Sequence, residues 1–194
     1  ISSRRWVSFS PSRKSCSTSA SCRTLPYRSS LLNAIALRQT SCSVAGMPLA
    51  PLNIRLAAHE LEFILNDGEI KALILGPEYI PLYEQFREKT PGLKHVIILN
   101  AELPGAVDYE GLIASNEPLM GVAREWQETD MLNLCYTGGT TGLPKGVMLS
   151  QRAIVSNAQH ATMTMSFQER DIWLHVAPMF HLADAWAVYA FAMV

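Results

Sequence analysis

Between Met47 and Leu99 short apolar runs alternate with amphipathic segments, and this alternation constrains the fold most. MPLAPLN, Met47 to Asn53, reads as a strand ending in a proline turn. Ala57 to Glu69 places Leu61, Ile64 and Leu65 on one helical face, with Asn66, Asp67 and Gly68 as a stop signal. Lys71 to Leu75 is a short buried strand. Ile80 to Lys89 has helical spacing, and His95 to Leu99 is a strand rich in branched side chains. Strands separated by single helices imply a parallel sheet, hence an α/β fold. A polar connection from Asn100 to about Asp130 carries Pro104, Gly105, Pro118 and Gly121, with one short helix expected over Tyr109 to Ala114. Strands are expected over Leu132 to Tyr136, Gly146 to Leu149 and Asp171 to Ala177, and a helix from Gln151 to about Met165. Ala185 to Val194 is too short to span a bilayer and reads as a core element.

Two of these strands enclose LCYTGGTTGLPKGVMLS, Leu134 to Ser150. Glycines allow backbone N–H groups to face a ligand without a Cβ in the way. With the hydroxyls of Thr137, Thr140 and Thr141 they suit anionic oxygens, and Lys145 adds a positive point charge. The combination fits a polyphosphate. It is not a Walker A loop, which needs Ser or Thr after the lysine and then a helix. Here Gly146 follows Lys145, and Val147 to Leu149 reads as a strand. The competing reading is a glycine-rich hairpin with no ligand, but short hairpins do not need so long a loop of this composition.

A hydrophobic fraction of 48% supports a sizeable core, and a net charge of −1 gives no sign of a nucleic-acid partner. No Asp or Glu precedes Glu60, whereas Arg4, Arg5, Arg13, Lys14, Arg23, Arg28 and Arg38 sit in a Ser-rich leader over residues 1–43. That composition resembles a transit peptide; a disordered or non-native tail is the alternative. Cys16, Cys22, Cys42 and Cys135 form no CxxC or Cys/His cluster, so neither zinc nor a disulfide framework is expected, and Cys135 reads as a small buried residue.

YTGGTTGLPKGV, Tyr136 to Val147, resembles the signature of the AMP-forming acyl-adenylating enzymes. These include acyl-CoA synthetases, 4-coumarate–CoA ligases, luciferases and peptide-synthetase adenylation domains. Gly138 stands where serine is more common, and Gln151 where histidine often follows. VAPMFHLA, Val176 to Ala183, resembles the PMFH segment of coenzyme A ligases, and Pro51 to Ile74 resembles the N-terminal domain of the same enzymes. The resemblance implies an α/β fold of layered sheets with flanking helices, part of a large N-terminal domain. Residues 44–194 would be a partial adenylation domain truncated at both ends.

The family activates a carboxylic acid, such as a fatty acid, with ATP to an acyl-adenylate, then transfers the acyl group to coenzyme A. By resemblance, Thr137, Gly138, Gly139, Thr140, Thr141, Gly142 and Lys145 would hold the β- and γ-phosphates, sharing charge with Mg²⁺. His181 would stand beside the acyl pocket and orient the substrate, and Lys145 and His181 are the candidate catalytic residues. A structural loop histidine is the alternative for His181. Phe180 and Trp186 are candidates for lining the acyl pocket, or simply core. Tyr136 reads as a packing or strand-end residue, His160 as solvent-facing and His175 as a satisfied core or edge histidine.

The adenine segment, the acidic Mg²⁺ ligand and the C-terminal lysine of the family are not found, so no metal ligand is assigned and the isolated piece is expected to be inactive. Two other readings remain: transfer of the acyl group to a non-CoA acceptor, or a truncated nucleotide-binding product without turnover. A genuine leader would point to plastid or mitochondrion, its absence to cytoplasm or peroxisome.

Overall fold

A computed structural model describes residues 42, 45–117, 125–138 and 142–194. Apart from Cys42, the leader lies outside the described residues, as do Pro118 and Gly121, and Gly139, Thr140 and Thr141 of the loop.

The first unit is built around helix α1, Ala58–Asp67. Glu60 starts it, its carboxylate accepting from the N–H of Ala57 at 2.8 Å, which satisfies one of the donors a helix start leaves open. Leu61, Ile64 and Leu65 are buried, as their spacing requires. The helix ends at Asp67, but the left-handed residue is Glu69, at φ 48°, and Gly68 has helical angles. Glycine at 68 therefore serves space and not backbone freedom. A Cβ there would stand 3.0 Å from the carbonyl of Ile64, 3.0 Å from Leu134 Cδ2 and 3.2 Å from the Tyr136 hydroxyl.

Strands β1, Ala72–Leu75, β2, His95–Ile98, and β3, Val107–Asp108, form a parallel sheet in that order. Leu61, Leu65, Leu73, Leu75, Tyr83, Phe86 and Ile98 make one buried cluster between α1, the sheet and the β1–β2 crossover. That crossover departs from the single helix expected over Ile80 to Lys89. It is a short helix α2, Ile80–Tyr83, flanked by 3₁₀ turns at Pro77–Tyr79 and Arg87–Lys89. Phe86, at φ −130°, interrupts the helical path, while Tyr83 and Phe86 still reach the core and meet edge to face at 5.7 Å. Helix α3, Tyr109–Ala114, follows β3 directly and is capped by Asp108, whose carboxylate accepts from Gly111 N–H.

The second unit is an antiparallel hairpin of β4, Met131–Thr137, and β5, Lys145–Ser150. The expectation of a parallel sheet therefore holds for β1–β3 only. β5 runs straight into α4, Gln151–Met165, where Ser150 caps the helix by accepting from Ala153 N–H at 3.2 Å. Helix α5, Leu182–Phe191, packs against α4, with the Thr162 hydroxyl donating to the carbonyl of Ala190 at 3.3 Å.

Two expected strands differ. Met47 to Asn53 contributes only a parallel bridge, Leu49 to Asn133 of β4, because prolines on both sides interrupt a continuous ladder. Asp171 to Ala177 is irregular and pairs with no described strand. It keeps the alternation that suggested a strand: Ile172, Leu174 and Val176 are exposed, and Trp173 and His175 are half-buried. No described helix is long and apolar enough to cross a membrane.

Candidate functional site

Of the candidate site residues, Thr137, Gly138, Gly142 and Lys145 sit where the β4–β5 hairpin turns. Thr137 closes β4 and Lys145 opens β5, and the two are directly paired. The Thr137 hydroxyl donates to the Lys145 carbonyl at 3.4 Å, a long bond across the mouth. Both residues are exposed, so the ammonium group of Lys145 stands on the surface beside the loop. Lys145 is followed by strand and not by helix, which separates this loop from the Walker A geometry.

Gly138 and Gly142 have open space where a Cβ would lie. Packing does not require glycine at either position, and their backbone can be approached closely from outside. Gly146 is different: a Cβ there would come 3.1 Å from Leu134 Cδ1 and 3.1 Å from Tyr136 Cζ. It is a packing glycine, facing Tyr136 across the strand pair.

Beneath the mouth, β4 is buried at Leu132, Asn133 and Leu134. Asn133 is an interior polar residue, and its carbonyl oxygen accepts from the Tyr189 hydroxyl of α5 at 3.3 Å. Tyr136 donates to Asp67 Oδ2 at 2.6 Å. Burial, then the Asp67 hydrogen bond and charge, raise its phenol above the ordinary tyrosine range. Burial likewise pushes up the thiol of Cys135, which is half-buried beside the loop.

His181 belongs to a different group. It is the N-cap residue of α5, its carbonyl accepts from Asp184 and Ala185, and its ring lies 4.6 Å from that of Phe180. His175, expected to be a satisfied core histidine, places Nδ1 3.0 Å from Asp184 Oδ2. Trp173 Nε1 donates to the other oxygen, Asp184 Oδ1, at 3.0 Å. Asp184 is 3% exposed, so both carboxylate oxygens of a buried acid are matched. A lone acid inside LADAWAVYAF was the available signal for this tie. His160 is exposed on α4, as expected.

An apolar cavity of about 270 Å³ lies between the end of β5, α4 and α5, lined by Leu149, Ala153, Ile154, Leu182, Trp186 and Tyr189 among others. Trp186 also packs edge-on against Trp173 at 5.3 Å, so it serves core and cavity together. Among the described residues no three of His, Cys, Asp or Glu gather around a common point.

The class to which the chain belongs is the AMP-binding enzyme family, whose model matches residues 38–194. Coenzyme A ligases are among its relatives. The chain is 33% identical over 162 residues to a medium-chain-fatty-acid–CoA ligase of Ectopseudomonas oleovorans, covering 78% of this chain and 29% of the relative. It is 36% identical over 154 residues to a long-chain-fatty-acid–CoA ligase of Thermus thermophilus, covering 77% and 27%. The crystal structure of a long-chain-fatty-acid–CoA ligase from Archaeoglobus fulgidus superimposes with a TM-score of 0.74 at 26% identity, over 84% of this chain and 32% of that one. The chain thus spans under one third of the length of these curated relatives.

Proposed function

We propose that the complete protein carrying this chain is an AMP-forming acyl-CoA synthetase, and that residues 44–194 form part of its adenylation domain. A carboxylate oxygen attacks the α-phosphorus of ATP, the bond to the bridging oxygen breaks, and pyrophosphate leaves. The thiol of coenzyme A then displaces AMP from the acyl-adenylate and loses its proton. Thr137, Gly138, Gly139, Thr140, Thr141, Gly142 and Lys145 hold the β- and γ-phosphates as charge builds on the departing pyrophosphate. The observation that carries this reading is the hairpin mouth, where the exposed Lys145 is paired with Thr137 beside the open backbone of Gly138 and Gly142.

His181, at the start of α5, orients the acid rather than deprotonating it, since a carboxylic acid is already ionised at neutral pH. The cavity beside Trp186 is apolar and suits a hydrocarbon acyl chain. The fatty-acid ligases among the relatives support that substrate class. The test is acid-dependent exchange of pyrophosphate into ATP by the complete protein, across a panel of carboxylic acids. Exchange with medium or long fatty acids, and trapping of the product by coenzyme A, is expected. Exchange with none of the panel removes the reading, and exchange without coenzyme A trapping moves it to another acceptor.

A further inference from the structure

Tyr136 stands one residue before Thr137 and is held on three sides. Its register partner across the hairpin is Gly146, whose missing Cβ leaves room for the ring: a Cβ would lie 3.1 Å from Cζ and 3.3 Å from the hydroxyl. On the side of α1, a Cβ on Gly68 would come within 3.2 Å of the same hydroxyl. The hydroxyl donates to Asp67 Oδ2 at 2.6 Å, a short charge-assisted bond between residues 69 apart in sequence. Asp67 is itself well anchored. It is the last residue of α1, whose Leu61 and Leu65 lie in the buried cluster, and its neighbour Asn66 donates to the carbonyl of Lys89 at 2.9 Å.

From this we infer that Tyr136 is a positioning residue for the phosphate loop: its bond to Asp67 fixes the end of β4, and with it the Thr137–Lys145 mouth, against the parallel-sheet unit. The inference rests on the proposed function, since it assigns ATP to the loop. Neither a strand-end tyrosine nor an acid at a helix end shows this pairing in sequence.

The test compares the complete wild-type protein with Tyr136→Phe, Asp67→Ala and the double variant, by calorimetric titration with Mg·ATP and by the KM for the acid. Either single change is expected to weaken ATP binding about tenfold, the factor that one hydrogen bond to a charged group corresponds to. The double variant should be no weaker, and the acid KM should stay unchanged. Melting temperatures accompany each variant; if Tyr136→Phe fails to fold, Asp67→Ala, changed at an exposed helix end, carries the test. Unchanged ATP affinity in the variants, additive losses, or equal losses toward ATP and acid overturn the tether while leaving the proposed function standing. A wild-type protein that binds no ATP overturns both.

Discussion

The parallel-sheet unit and the hairpin unit use similar residues to opposite ends. In the first, Leu61, Leu65, Leu73, Leu75, Tyr83, Phe86 and Ile98 close on one another. In the second, β4 buries Leu132 and Leu134 while Lys145, Gly146, Val147 and Met148 of β5 stay exposed. The outer part of β5 is held by its ladder to β4 and not by burial, and β4 carries the polar ties. Tyr136 binds Asp67 at the mouth, and Tyr189 binds Asn133 beneath. A loop that must present backbone N–H groups and a lysine to a ligand gains from such an arrangement, because its stem is oriented while its surface stays open.

The sharpest test of the division is Leu65→Ala. Leu65 is 2% exposed in the cluster, and removing its side chain should cost about 2–5 kcal/mol of stability. Chemical denaturation of the complete protein checks it. ATP affinity of the folded fraction should hardly change; a large loss would mean that the two units do not divide stability and binding between them.

Lys145→Ala should behave in the reverse way. It removes an exposed charge from the strand end, so the melting temperature should stay close to wild type. Adenylation, followed by pyrophosphate exchange, should slow by about 10²–10³, the loss typical of removing one donor that stabilises developing charge. An unchanged exchange rate would show that the mouth does not grip the phosphates.

How much of this was legible in sequence divides along the same line. α1 could be read because Leu61, Ile64 and Leu65 follow helical spacing, and β1 and β2 because their apolar runs match fully buried parallel strands. The hairpin strands could be read on either side of the loop. What could not be read depends on partners distant in sequence. Trp173 and His175 face Asp184 with strand-like alternation, yet no described strand pairs with them. Gly68 ends α1 where the stop signal placed it, but its second role as a spacing residue against Leu134 and Tyr136 did not show. Of the site, the motif marked Thr137, Gly138, Gly142 and Lys145, since their chemistry is local. Asp67 and Asp184 were missed as functional ties because an acid's role is set by what it meets.

Asp184→Ala measures how far the site side depends on polar ties, with a smaller expected effect than the two changes above. The carboxylate joins the first turn of α5 to the segment of Trp173 and His175, through bonds of 3.0 Å on each oxygen. Alanine would leave the indole N–H and the imidazole nitrogen without it, a cost of about 1–3 kcal/mol for a buried donor left unmatched. Asn at 184 keeps the shape and one carbonyl oxygen, so it can still accept from Trp173, and it can donate its amide N–H to His175 if the ring turns its free nitrogen inward. Thermal melts with tryptophan emission should therefore rank wild type above Asp184→Asn above Asp184→Ala, with the emission of the Trp173 and Trp186 pair shifting most in alanine. Equal stability of all three would show that the aromatic packing of Phe167, Trp173, Trp186 and Phe191 holds the segment without the acid. The hairpin side would then be built, like the parallel-sheet side, on apolar contact.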